Sequence, residues 1–186
     1  MLLAISFLLG AVHVLAPDHW VPLSLQVWQR SWNASRIRSV AAQFFLLHVL
    51  TGLLAALILS EWASSLGDDT LFGFSLAVVV GFAGFRFLRF SRLREAFLAG
   101  PQSKRGLLAA WSLLGPAESL IPVVLKSNQI GQGFWQPTAA YALGTLLAGT
   151  ALVSVGRRIW NQPRLLAQAY AWVSRLSPLG RTPSAP

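Results

Sequence analysis

The chain's three histidines, His13, His19 and His48, all lie inside long apolar stretches, as do Asp18 and Glu118, while the other four acids stand at the ends of those stretches or between them. An ionisable side chain in such a stretch is costly unless it is paired or hydrated, and it marks a functional site by default. No Lys or Arg falls within the apolar parts of the first two stretches, so the histidines have acidic neighbours and no cationic ones. Neutral imidazole with carboxylate suits nickel, cobalt, zinc or iron. Copper(I) prefers thiolates and thioethers, and this chain has no cysteine and a single methionine, Met1. The alternatives are a satisfied core histidine or a proton relay through Asp18 and His19. Three histidines, an aspartate and a proline break gathered in two stretches favour the metal site.

Spacing supports it. In His13-Val14-Leu15-Ala16-Pro17-Asp18-His19 a continuous helix would set the two histidines about 240° apart, too far round to share one ion. Pro17 prevents continuity, because it has no N–H and its ring clashes with the carbonyl four residues earlier, that of His13. The expected break brings His13 toward Asp18 and His19 and frees a backbone carbonyl inside the membrane, as in the discontinuous helices of transporters. Pro122 stands four residues after Glu118 and predicts the same for that carbonyl. Glu118 is then a further ligand or a proton-coupled carboxylate, against the alternative of a carboxylic acid bonded to its own helix.

These residues need helices in a bilayer to hold them. Of the 186 residues 54% are hydrophobic and 11% charged, with a mean hydropathy of +0.56. A soluble domain carries roughly 25% charged residues, so that class is excluded. Zero cysteines exclude a disulfide framework, a thiolate metal site and thiol redox chemistry. Apolar runs at residues 1–27, 39–62, 71–88, 107–125 and 138–155 predict five spans, and 165–179 either crosses as a sixth or lies along the interface. The first run lacks a basic n-region and a small-residue cleavage site, which argues for a retained helix rather than a signal peptide.

The net charge of +9 is organised by these spans. Arg30, Arg36 and Arg38 fill one connection, Arg86, Arg89, Arg92, Arg94, Lys104 and Arg105 another, and Arg157, Arg158 and Arg164 a third. Glu61, Asp68 and Asp69 fill the connection between the first two, which holds no base. That alternation puts the basic connections in the cytoplasm and the amino terminus outside, with the bilayer rather than nucleic acid as partner. Most of the tryptophans stand near segment ends as interfacial anchors. Gly81, Gly84, Gly144 and Gly149 read as small residues for close helix contact.

An internal echo suggests two halves. Leu8-Leu9-Gly10-Ala11-Val12-His13 aligns with Leu113-Leu114-Gly115-Pro116-Ala117-Glu118, which puts Pro17 opposite Pro122. His48-Val49-Leu50-Thr51-Gly52-Leu53-Leu54-Ala55 aligns with Tyr141-Ala142-Leu143-Gly144-Thr145-Leu146-Leu147-Ala148. The expected fold is an all-α polytopic membrane helical bundle of five to six transmembrane helices. It forms a single domain over residues 1–181, with inverted three-helix repeats at about 1–92 and 106–179 and a disordered tail at 182–186.

His13 to His19 reads H-x(4)-D-H, which resembles the signature of the nickel/cobalt permeases, the NiCoT and NicO group of the LysE-type transporter superfamily. Gly10 to Trp20 also resembles the opening helix of UreH-like transmembrane proteins, small relatives linked by name to urease maturation. Gly115-Pro116-Ala117-Glu118-Ser119-Leu120-Ile121-Pro122 is similar to the G-P-C-x-x-L-I-P stretch of the same superfamily, with Ala117 where Cys is usual. The resemblance implies that His13, Asp18 and His19 are metal ligands, joined by His48 from the following helix. It implies a non-enzymatic inner-membrane transporter of a divalent cation, nickel or cobalt first and zinc third, with no tightly bound cofactor. A UreH-like membrane scaffold or metallochaperone for a metalloenzyme-maturation partner, or a LysE-type exporter of small solutes, are the other classes it brings. A homo-oligomer is compatible with each. No ATP-binding motif and no His-rich loop of the kind nickel-efflux members carry is present.

Overall fold

The structure is a computed structural model that describes residues 1–63, 70, 73–74, 76–81, 84, 117–162, 164–165, 167–168 and 171, and no described residue lies in a strand. Helix α1 spans Leu2–His13 and α2 spans Pro17–Gln29. Ala16, between them, is extended (φ −57°, ψ 127°), as a residue ahead of proline tends to be. Pro17 occupies the first turn of α2, where a missing N–H costs nothing. The two axes meet at 57°. The break expected at Pro17 is therefore present, but the His13 carbonyl is not left free: it accepts a long bond from Ala16 N–H at 3.4 Å.

A tight turn ends α2. Ser31 adopts a left-handed φ of 51°, and Ser31 and Trp32 N–H groups donate to the Trp28 and Val27 carbonyls at 3.0 and 3.5 Å. Helix α3 then runs over Ala34–Ala63, and Asn33 Oδ1 accepts from Arg36 N–H at 2.9 Å to cap it. Helix α3 turns one stripe inward, Ile37, Ala41, Phe45, His48, Gly52 and Ala56, at three- and four-residue spacing. Leu46, Leu47, Leu50, Leu54 and Ile58 are exposed on its other sides, as a lipid-facing surface requires. Helix α4 spans Leu120–Gln129 and α5 spans Trp135–Trp160.

Among the described residues two helices, α3 over Ala34–Glu61 and α5, are long and apolar enough to cross a membrane, and α1 with α2 passes the same test as a bent pair, a third span if the two count as one. That pair follows α5 in order: Phe7 and Gly10 meet Gly144, Tyr141 and Thr145, Ser24 meets Gly156 and Trp160, and Trp28 bonds Asn161. Contacts advancing from Tyr141 to Asn161 cover about 30 Å of helix, the thickness of a hydrocarbon core. Phe45 lies on Gly149 while Ile37 and Ala41 join Val153 in one cluster, so α3 runs the other way. Helix α4 packs on α3.

The apolar runs differ from the helices at their ends. Helix α3 begins five residues before residue 39 and carries Arg36 and Arg38 in its exposed first turns. Helix α5 overruns residues 138–155 at both ends. Pro122 sits in the first turn of α4, which starts at Leu120 after the turn at 117–119, and the Glu118 carbonyl is not left free: it accepts from Ile121 N–H at 3.1 Å. Gly144 and Gly149 make the expected close contacts, whereas Gly81 and Gly84 have nothing near them among the described residues. Trp160 is not an interfacial anchor: it is buried and its Nε1 donates to Ser24 Oγ at 2.8 Å. Residues 107–116, half of the third run, the basic connection at 86–105, Asp68 and Asp69, most of 165–179 and the tail lie outside the described residues.

Candidate metal centre

His13 closes α1, His19 sits in the first turn of α2, and His48 points inward from the middle of α3. The break at residues 14–16 turns α2 so that His19 Nε2 comes within 3.0 Å of His13 Nε2. His48 Nε2 approaches the same nitrogen to 3.2 Å. All three ligand atoms lie within 4.8 Å of one another, and the group can hold a metal ion. His19 and His48 are 2% and 0% exposed. His48 is the fifteenth of the 28 residues in the span Ala34–Glu61, which puts it about 20 Å from either end. Two apolar clusters flank the layer. One contains Val14 and Phe45, the other Val49 and Tyr141.

Donor and acceptor chemistry distinguishes an ion site from a hydrogen-bonded chain. Asp18 Oδ1 lies 2.9 Å from His19 Nδ1. An ionised carboxylate only accepts, so Nδ1 carries the hydrogen and His19 Nε2 presents its lone pair. His13 Nε2 faces both other rings, yet one nitrogen bears either one hydrogen or one lone pair. Hydrogen bonding alone completes only one of the two contacts. A cation bound by all three lone pairs completes both. With metal–nitrogen bonds near 2.0–2.1 Å, ligands at 90–109° stand about 2.9–3.4 Å apart, which brackets the 3.0 and 3.2 Å observed here.

Of the five expected site residues, the structure gathers His13, His19 and His48. Asp18 stands behind His19, where it fixes the tautomer and ring orientation, as carboxylates do behind metal-bound histidines. Glu118 is buried (6% exposed) in the turn before α4, outside the three-histidine group. That turn is tied to the site through backbone: Ala117 N–H donates to the His48 carbonyl at 3.2 Å, which also accepts from Thr51 Oγ1 at 2.9 Å. Gly52 permits the approach, since a Cβ there would stand 2.7 Å from Ala117 N and O.

Two residues join the site that sequence reasoning gave no role. Tyr141 is fully buried with its ring centroid 6.3 Å from that of His13, and its hydroxyl pairs with Ser119 Oγ at 2.6 Å. Tyr141 thus links the histidines to the turn carrying Glu118. The signal was its register opposite His48 in the internal echo. Fold and site together define a helical membrane protein with a buried tri-histidine centre able to hold a metal ion. Comparison with family models, with curated proteins and with solved structures gives no match.

Proposed function

We propose that the chain is a secondary transporter of a divalent transition-metal cation, carried through the His13–His19–His48 centre at mid-depth in the membrane. The convergence of three imidazole Nε2 atoms on a broken helix, halfway along a span, is the observation that carries this. Three neutral donors and an outlying carboxylate bind an ion without the closed thiolate cage that would retain it, and transport needs release as well as capture. Nickel and cobalt are the first substrates and zinc the third, on the donor set and on the resemblance of H-x(4)-D-H to the nickel/cobalt permeases. Glu118 serves as the counter-charge on the opposite half.

The wider architecture in this proposal is five to six spans in two inverted halves, in the inner membrane with the amino terminus outside. Two features support it. Helix α1 lies against α5 at Gly10 and Tyr141, while the turn at Ala117 lies against α3 at His48 and Gly52. Under the internal echo His48 and Gly52 stand opposite Tyr141 and Thr145, while Ala117 stands two residues past the position opposite Gly10. The basic ends at Arg30 and Arg158 also share one side, joined through the Trp28–Asn161 bond. Purified protein in proteoliposomes should accumulate Ni²⁺ or Co²⁺, and a His48→Ala variant should not. Metal binding without flux in the native protein would instead make it a scaffold that holds metal for a maturation partner. Flux of neither metal, nor of Zn²⁺, with no binding would end the proposal.

A further inference from the structure

The connection from α2 to α3 builds a second charged group, remote from the histidines. The turn at Ser31 and the Asn33 cap fix Trp32 between two arginines, with the Arg30 guanidinium carbon 5.5 Å and that of Arg36 4.9 Å from the centroid of the Trp32 ring. Each contact is a cation–π interaction, but the arrangement also holds two like charges beside one indole. Burial first, and the Arg36 charge second, push Arg30 below the usual guanidinium range. Trp28 Nε1 donates to Asn161 Oδ1 at 3.0 Å and brings in the last turn of α5, which carries Arg157 and Arg158.

Guanidiniums gathered in this way match a phosphate, which they bind in forks of two parallel hydrogen bonds. Position selects the source. Arg30 follows the last residue of α2 and Arg36 sits in the first turn of the candidate span Ala34–Glu61, flanked by Trp28 and Trp32 at the level of lipid headgroups. We propose that Arg30, Trp32 and Arg36 form a binding site for the phosphodiester of an anionic phospholipid. A zwitterionic headgroup places an ammonium beside the same phosphate, next to the Arg30 and Arg36 guanidiniums, and is disfavoured. The site is independent of the metal centre.

Native mass spectrometry and lipid titration of the full chain in a neutral detergent test this. Phosphatidylglycerol should be retained, phosphatidylcholine should not, and Arg36→Gln should weaken phosphatidylglycerol binding about tenfold. Arg38→Gln removes the same charge outside the Trp32 stack and should leave affinity within about twofold, as expected for a solvated charge. The double variant Arg30→Gln/Arg36→Gln should lose retention. If it does not fold, Arg36→Gln alone decides, because Arg36 is exposed. Equal retention of the two lipids, or an equal loss in Arg38→Gln, would show only bulk attraction and overturn the site. Displacement of phosphatidylglycerol by millimolar inorganic phosphate would make it a free-phosphate site and overturn the lipid assignment.

Discussion

His13 Nε2 takes part in both short imidazole contacts, so its removal leaves His19 and His48 without their common neighbour. His13→Ala should abolish measurable metal binding in an equilibrium competition assay on monodisperse protein. Asp18 acts through His19, and loss of such a supporting carboxylate costs about 10–100-fold in affinity. Asp18→Asn keeps an acceptor for His19 Nδ1–H and should fall at the mild end of that range, with Asp18→Ala at the severe end. Equal affinities for Asp18→Ala and the native protein would sink the assignment. At this scale much of the centre was legible, because ionisable residues in an apolar run stand out and Pro17 announces the break. The role of Asp18 was not, since spacing cannot say which side of an imidazole a carboxylate faces. Tyr141 and Ser119 escaped notice because an isolated hydroxyl carries little cost and so leaves little trace in composition.

Prolines decide the element scale, and their places in the helices change what each is expected to do. Pro17 stands where α2 begins, so replacing it relieves none of the strain of a mid-helix proline. Its effect is to hold Ala16 extended. Pro17→Ala should let α1 run on into α2, rotate His13 away from His19 and lower metal affinity by about tenfold or more, as a lost ligand contact does. Unaltered affinity would show that the break does not build the site. Pro22, the sixth residue of α2, lies inside that helix, and it denies the Asp18 carbonyl its helical bond. Pro22→Ala should raise thermal stability, by up to about 3 kcal/mol on the water-based scale, while weakening metal binding as Asp18 settles into a regular turn. A rise in both would mean that Pro22 has no part in the site. Helix existence could be read from apolar runs, but α3 and α4 could not be bounded that way. Arginines tolerated in an exposed first turn extend a helix beyond its apolar part, and a proline near a helix start looks in sequence like one in its middle.

The whole molecule orders its helices across the membrane, and the cysteine-free sequence makes that order measurable. Single cysteines at Arg36 and Arg158 should react with an impermeant thiol probe from the cytoplasmic side, and one at Glu61 from the opposite side. Labelling of Arg36 and Glu61 from the same face would refute the span over α3. The span count was read from the apolar runs and the inverted halves from the internal echo, rather than from any single residue, and the close contacts at Gly10 and Ala117 depend on the helices being packed together. Gly10 and Gly144 show how tight that assembly is. A Cβ at Gly10 would run into the Tyr141 carbonyl oxygen, and one at Gly144 into that of Phe7. Gly144→Val should therefore destabilise the protein by about 1–3 kcal/mol, the usual cost of overpacking, read as a lowered melting temperature in detergent. With main chain against main chain there is no layer of side chains to act as a bearing, so α1 can neither roll nor slide on α5. The two must travel as one lever. Phe45 only rests a ring on Gly149, so against α5 the helix α3 keeps the freedom that α1 lacks, its own main-chain contact being with the turn at Ala117. Under the proposed transport function, exchange of the ion between the two faces of the membrane would then move His48 past a stationary His13.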